Sequence, residues 1–335
     1  MVVFPCAKIN LGLNVVERRP DGYHNLQTVF YPVPLNDALE VQPMAEGFPS
    51  DVDCDLKLTN IPVEGDERRN LVVRAYDLLK QDFPQLPRVH SHLYKAIPTQ
   101  AGMGGGSSDG AAMLLLLNQQ FGLALSEARL ISYAARLGAD CPFFILNRPA
   151  YAEGIGELLS PIELDLKGWW IAVVRPDIPV PTKEAFALIR PQQPKRCCRD
   201  IVMQPVETWR DALCNDFEQS VFAQHPEIGA IKERLYAQGA FFFSHALCWH
   251  TCHHRDDLRY LFCIDHLTLF TLALAPTLIE DFQRTFQLGL TIAISGSQFE
   301  VLVLYGHLFL LLHVSNLFFG LDNLRWNLRI SKMYA

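Results

Sequence analysis

Positive charge is scarce in this chain of 335 residues: 29 lysines and arginines stand against 36 aspartates and glutamates, a formal net charge of -7. Proteins that hold nucleic acid or an anionic membrane by charge rely on clustered Lys and Arg, so neither partner is expected. An uninterrupted apolar leader is also missing. Lys8, Asn10 and Asn14 break up the first residues, and no secretory signal is expected there. The nine cysteines are odd in number and mostly without pairing pattern, which reads as reduced thiols in a cytoplasm. One run, Val301 to Phe319, has the length of a membrane span, but Gly306, His307, His313 and Asn316 interrupt it. Polar groups are costly in lipid, so no span is expected. Half the residues are hydrophobic and 19% are charged, enough for a sizeable core, and the length suits about two domains.

The signals that are present mix helix and strand. Ala7 to Val15 alternates, with Ala7, Ile9, Leu11 and Leu13 on one face and Lys8, Asn10 and Asn14 on the other, the period of a half-buried strand. Pro20-Asp21-Gly22 reads as a tight turn. Asn70 to Phe83 has helical spacing through Leu71, Ala75, Leu78 and Leu79. A strand ending near Ile97-Pro98 feeds a glycine-rich stretch, after which Ser107-Ser108-Asp109 reads as the cap of an apolar helix. Ser126 opens a further helix that ends at Gly138. Trp169 to Val174 reads as a buried strand. There is neither a repeated βαβ unit nor an internal repeat, so the class is α+β, with a boundary between Asn147 and Leu166.

The stretch Pro98-Thr-Gln-Ala-Gly102-Met-Gly104-Gly105-Gly106-Ser107-Ser108 carries the clearest chemistry. Consecutive glycines let several backbone N–H groups converge without Cβ interference. The following helix adds unpaired N–H groups and the positive end of its dipole, which together make an anion site. Ser107 and Ser108 can offer hydroxyls to phosphate or to a metal on it. The stretch has no Gly-Lys-Ser/Thr ending and lacks the spacing of a dinucleotide fingerprint. Alone it could be a glycine-rich surface turn; its place between a strand and an apolar helix favours phosphate.

With that stretch, several segments in order resemble the GHMP family of small-molecule kinases: Ala7-Lys8-Ile9-Asn10-Leu11, Asp21-Gly22-Tyr23-His24, Leu137 to Phe144 around Asp140, Ala152 to Glu157, Pro181-Thr182 and Asn215 to Glu218. The resemblance covers residues 1 to about 240. It implies two domains, 1–155 with a ribosomal S5 domain 2-like ATP-binding fold and 156–335 with a ferredoxin-like fold, and an active site in the cleft between them. It implies ATP and Mg²⁺ as cofactors, with the nucleotide on Pro98, Gly102, Gly104, Gly105, Gly106, Ser107 and Ser108, and Asn70 near the adenine. Asp140 is then the base that accepts the proton of the attacking hydroxyl, and Lys8 the cation beside it. Asn10, Tyr23, His24, Thr182 and Phe186 hold the substrate, with a cytosine between an aromatic wall and Phe186. The implied substrate is a cytidine diphosphate-linked methylerythritol, phosphorylated on its 2-hydroxyl in non-mevalonate isoprenoid precursor biosynthesis. A sister kinase acting on mevalonate or homoserine has no base for Tyr23 and His24 to read. Taken singly, these residues have plainer readings: Lys8 a solvated strand lysine, Asp140 a turn aspartate ahead of Pro142, and Phe186 a core residue.

The resemblance lapses near Gly239. A third glycine-rich motif is missing where Gly239 to Cys248 stands, and Ile294-Ser295-Gly296-Ser297 matches it only faintly and much later. Seven of the eleven histidines but only one lysine, Lys332, follow Ala240, a change of character that an altered reading frame produces. Two other readings arise there: a zinc site of Cys248, Cys252, Cys263 and His266, and a nucleotide-binding relic without catalysis.

Overall fold

The structure, a computed structural model, describes residues 1–63, 65–99, 101–167, 169–176, 178, 180, 182–237, 240, 242–246, 261–265 and 326–332. The readings placed on Val301 to Phe319, on Ile294 to Ser297 and on the set Cys248, Cys252, Cys263 and His266 lie outside the described residues or side chains. No described helix is long and apolar enough to cross a membrane.

The first half builds two four-stranded sheets and a helical layer. Its elements are β1 (Val2–Val3), β2 (Cys6–Arg18), β3 (His24–Asn36), β4 (Ala38–Pro43), β5 (Cys54–Asn60), α1 (Leu71–Asp82), β6 (Val89–Lys95), α2 (Gly105–Gln120), α3 (Glu127–Leu137), α4 (Cys141–Leu146), β7 (Ala150–Gly154) and β8 (Leu158–Pro161). One sheet has the order β1-β4-β6-β5 and the other β2-β3-β7-β8. The second sheet runs on to Pro161, past residue 155. The remaining elements are β9 (Trp170–Pro176), α5 (Thr182–Phe186), α6 (Cys198–Val202), α7 (Trp209–Ala212), α8 (Phe217–Gln224), α9 (Pro226–Ala237), β10 (Phe242–Ala246), β11 (Leu261–Asp265) and β12 (Trp326–Lys332). Strands β10-β11-β9-β12 form a third, antiparallel sheet.

The local signals for α1 and α3 hold. Asn70 caps α1 by accepting from the Val72 N–H at 2.9 Å, and Ser126 caps α3, which stops at Gly138. The start of α2 differs from expectation. Gly104, at φ +69°, takes the N-cap, and Ser107 and Ser108 fall inside the first turn. A glycine tolerates this left-handed backbone where a serine would be strained, so the helix begins before the hydroxyls. Most of α2 is buried, because α1, α3, α4 and the first sheet surround it.

Strand β2 also departs from simple alternation. Gly12, at φ +69°, sits in a β-bulge between Leu11 and Leu13, and the extra residue reverses the faces beyond it. Ala7, Ile9 and Leu11 pack in one core, whereas Leu13 and Val15 pack in another. Leu13 therefore lies on the face of Lys8 and Asn10, opposite to the expected side. Strand β3 contains Pro32 and Pro34 and still pairs with β2 along its length. Its pairing with β7 covers only Leu26 to Phe30, so the prolines fall where that side is an edge and no ladder N–H is lost.

The chain beyond the lapse of resemblance still contributes to the core. Phe242 packs edge-on against the buried Trp209 at 5.6 Å, and Phe243 joins the apolar cluster of α8 and α9.

Candidate active site

The bulged strand β2 carries Lys8 and Asn10 into a narrow cleft shared with Thr28, Asp140 and Phe217. Lys8 is 2% exposed, so it is not the solvated strand lysine of the plainer reading. Its Nζ donates to Asn10 Oδ1 at 2.7 Å and lies 4.4 Å above the Phe30 ring centre. The same Nζ stands 3.7 Å from Asp140 Oδ2. Asp140 precedes α4 but makes no capping bond with its side chain, which leaves the carboxylate directed at the lysine. It is 6% exposed. A paired, partly dehydrated cation and carboxylate interact more strongly than a surface pair.

The glycine loop lies against this pair. The Lys8 N–H donates to the Met103 carbonyl at 2.9 Å, joining β2 to the loop. A Cβ on Gly104 would stand 2.6 Å from the Phe144 ring and 3.2 Å from Lys8 Cγ. A Cβ on Gly105 would meet Ile97 at 2.9 Å, whereas one on Gly106 would meet nothing within 4 Å. The loop is thus pressed on its inner side and open at Gly106, which suits backbone N–H groups turned to an anion. Pro98 and Gly102 are buried at the loop's entry. The two serines diverge: Ser107 is hydrogen-bonded to the buried Cys141, whose thiol burial pushes up to about 12. Ser108 lines a separate groove with Cys6, Phe144 and Asn147. Among the described residues no cluster of His, Cys, Asp and Glu could hold a metal ion. Asn70 caps α1, whose Leu71 packs against Gly110 of α2.

At the other end of the sheet, Asp21 fixes the turn before β3 by accepting from Arg19 at 2.7 Å and from the Tyr23 N–H at 3.1 Å. Tyr23 is left exposed. His24 stacks on Phe186, centres 4.7 Å apart and planes 18° apart, which leaves no room for a base between them. Phe186 in turn meets Phe217 edge-on at 4.7 Å, and Phe217 lines the Lys8–Asp140 cleft. Burial and the nearby Arg18 hold the His24 imidazole below its usual range, so it is neutral at pH 7. Thr182 opens α5.

Sequence reasoning assigned no role to several residues in and around the cleft. Leu26, Thr28 and Phe30 line it at the strand period of two, a signal hidden by the prolines of β3. Gly156 faces Asp140, with its Cβ position 3.6 Å from Oδ1. Asp216 accepts from the Val15 N–H at 2.7 Å and ties β2 to the start of α8. The buried ions Lys95, Asp37 and Asp109 behind the loop were not foreseen.

Comparison with known proteins bears on this geometry. Residues 70–148 match the GHMP kinases N terminal domain. The chain is 53% identical over 244 residues to the 4-diphosphocytidyl-2-C-methyl-D-erythritol kinase of Bacteroides thetaiotaomicron, 73% of this chain and 88% of that protein. It is 51% identical over 242 residues to the kinase of the same name from Bacteroides fragilis, covering 72% and 87%. A crystal structure of 4-(cytidine 5'-diphospho)-2C-methyl-D-erythritol kinase superposes with a TM-score of 0.64 at 33% identity, over 79% of this chain and 89% of that one. Homoserine kinase from Cytophaga hutchinsonii, at 12% identity, shares the fold with a TM-score of 0.58 over 98% and 94% of the two chains.

Proposed function

The chain belongs to the GHMP kinases, among the 4-diphosphocytidyl-2-C-methyl-D-erythritol kinases, and on that premise we propose how its residues divide the work of phosphoryl transfer. The acceptor is the 2-hydroxyl of 4-diphosphocytidyl-2-C-methyl-D-erythritol, in non-mevalonate isoprenoid precursor biosynthesis. ATP, with Mg²⁺ on its phosphates, supplies the phosphoryl group. The cation is read as arriving with the nucleotide, as Mg²⁺ is held largely by substrate phosphates and water.

The observation that carries the reading is the Lys8–Asp140 pair set against the glycine loop. Asp140 takes the proton of the acceptor hydroxyl, which requires its ionised form. Lys8 keeps an opposite charge beside that carboxylate and stabilises negative charge as the phosphoryl group moves. Asn10 and the Phe30 ring hold the ammonium in place. Backbone N–H groups from Gly102 to Ser107 hold the phosphates, with the Ser107 hydroxyl assisting, while the Ser108 N–H is donated to the Gly104 carbonyl at 2.8 Å. Tyr23, His24, Thr182 and Phe186 hold the cytidine end. With His24 on Phe186, the base stacks beside this pair against the exposed Tyr23, or the rings part to admit it.

The antiparallel sheet of β9 to β12, packed with α8 and α9, supports reading residues 156–335 as a ferredoxin-like domain. Residues 1–155 are read as the S5 domain 2-like part.

ADP release by the full-length protein, with ATP, Mg²⁺ and the cytidine-bearing substrate, tests the assignment beside Asp140→Asn. The substitution is expected to lower kcat by about 100- to 10,000-fold, the span of general-base catalysis. Undiminished turnover in the variant would remove Asp140 from its role.

A further inference from the structure

Behind the glycine loop lies a charged cluster that the transfer step does not use. Lys95 ends β6, Asp37 joins β3 to β4, and Asp109 sits about one turn inside α2. Lys95 Nζ pairs with Asp37 Oδ2 and, at 2.7 Å, with Asp109 Oδ2. Asp37 Oδ1 also accepts from the N–H groups of Ala96 and Ile97. All three residues are buried, each exposed by no more than 2%. Lys95 Nζ lies 3.3 Å from where a Cβ on Gly105 would stand, so the cluster is directly behind the first residue of α2.

The cluster does not balance. Two carboxylates share one ammonium, and Asp109 Oδ1 has no hydrogen-bond partner. A net negative charge with an unpaired oxygen is costly in a dry interior. The charges acting on Asp109 are Lys95 from β6 and Asp37 from the β3–β4 junction. Lys8 on β2, Arg74 on α1, Asp140 before α4 and Glu40 on β4 stand on other elements packed against α2, and none makes an ion pair with Asp109. With the loop empty, the positive end of α2 favours the ionised carboxyl. Seated phosphates engage those N–H groups and add negative charge, reversing that preference.

We propose that Asp109 is a proton-linked positioning residue: nucleotide phosphates settling on the glycine loop drive the uptake of one proton from solvent onto its carboxylate. The O–H bond forms at Asp109, and water or buffer gives up the proton. This rests on reading Gly102 to Ser108 as the phosphate cradle. Burial, reinforced by Asp37 and opposed by Lys95, holds the Asp109 carboxyl at about 7, where a change in the loop's charge alters its occupancy most.

Titration calorimetry of ADP binding at pH 7, in two buffers of different ionisation enthalpy, reads the proton count directly. The nucleotide's own phosphate exchanges protons near this pH, so the wild type is compared with Asp109→Asn, which matches the protonated carboxyl in shape. The wild type should take up about half a proton more per nucleotide, since a group at its pKa starts half occupied. Asp37→Asn removes the neighbouring negative charge that raises the Asp109 carboxyl, so the pH at which the wild-type excess peaks should fall. Equal uptake by the wild type and Asp109→Asn, or an excess whose pH dependence is unchanged by Asp37→Asn, overturns the proposal. The Asp37 comparison alone decides if the first variant does not fold. Absence of binding heat in the folded wild type overturns the phosphate-cradle reading, and the proposal with it. Binding with equal uptake overturns the proposal alone.

Discussion

Lys8 Nζ stands 3.7 Å from Asp140 Oδ2, and the same lysine's backbone N–H is bonded to Met103 in the glycine loop. One residue thus connects the carboxylate read as the base to the segment read as the phosphate cradle. Lys8→Met should lower kcat by about 100-fold or more, with a smaller effect on the KM for the cytidine-bearing substrate, because Met keeps the packing on Phe30 but not the charge. Steady-state kinetics with both substrates checks this, and a loss confined to KM would contradict it.

Gly104→Ala places a Cβ 2.6 Å from the Phe144 ring at a backbone φ of +69°. Left-handed backbone alone costs a non-glycine residue about 1–2 kcal/mol, so the variant should melt lower and bind nucleotide more weakly. Gly106→Ala meets nothing, and its melting temperature should match the wild type. Thermal unfolding of the two variants side by side separates strain at one glycine from a general intolerance of the loop.

Phe186→Ala removes the ring on which His24 stacks. Where the rings part to admit the base, Phe186 supplies a base–aromatic stack of about 1–3 kcal/mol, so the KM for the cytidine-bearing substrate should rise by roughly 5- to 150-fold; an unchanged KM would place the base on Tyr23 beside the pair. The KM for ATP should stay within about twofold, well under the tenfold that 1.4 kcal/mol produces. Equal increases for both substrates would place Phe186 in general packing instead.

The Asp109 carboxyl gives stability a definite dependence on pH. Its folded value, near 7, is raised from the unfolded one of about 3.9. Between these values the folded protein binds a proton that the unfolded chain does not, so this contribution falls as pH rises from about 4 to about 7. Denaturant unfolding should show a less negative slope with pH for Asp109→Asn than for wild type. Parallel slopes would show that Asp109 ionises freely in the folded protein.

Asp216→Ala strips the Val15 N–H of its acceptor at a partly buried position. An unsatisfied buried donor costs about 1–3 kcal/mol, and the variant should lose that much in denaturant unfolding. A loss below about 0.5 kcal/mol would mean that another acceptor replaces the carboxylate.

The parts of this molecule that were legible in the sequence are those specified locally. Ser126 and Gly138 bound α3 because capping depends on a few adjacent residues, and Lys8, Gly102 to Gly106 and Asp140 stand in motifs that carry their own context. The illegible parts depend on distant segments. The face of Leu13 turns on the bulge at Gly12, where a Cβ would stand 2.6 Å from Leu213, a contact from far along the chain. Lys95 and Asp37 look like ordinary surface charges, and Asp109 like part of a helix cap, until β6, the β3–β4 junction and α2 converge. Stacking of His24 directly on Phe186 was likewise beyond reach, since a motif names its residues without giving the gap between their rings.

The contacts from His24 to Phe186 to Phe217 form an unbroken run of rings from the turn at Asp21 to the wall of the cleft. Such a run acts as a ruler. On the proposed reading of its two ends, a molecule is admitted by the reach of its tether, and a compound with the right base and the right hydroxyl but too short a bridge is expected to occupy one station and miss the other.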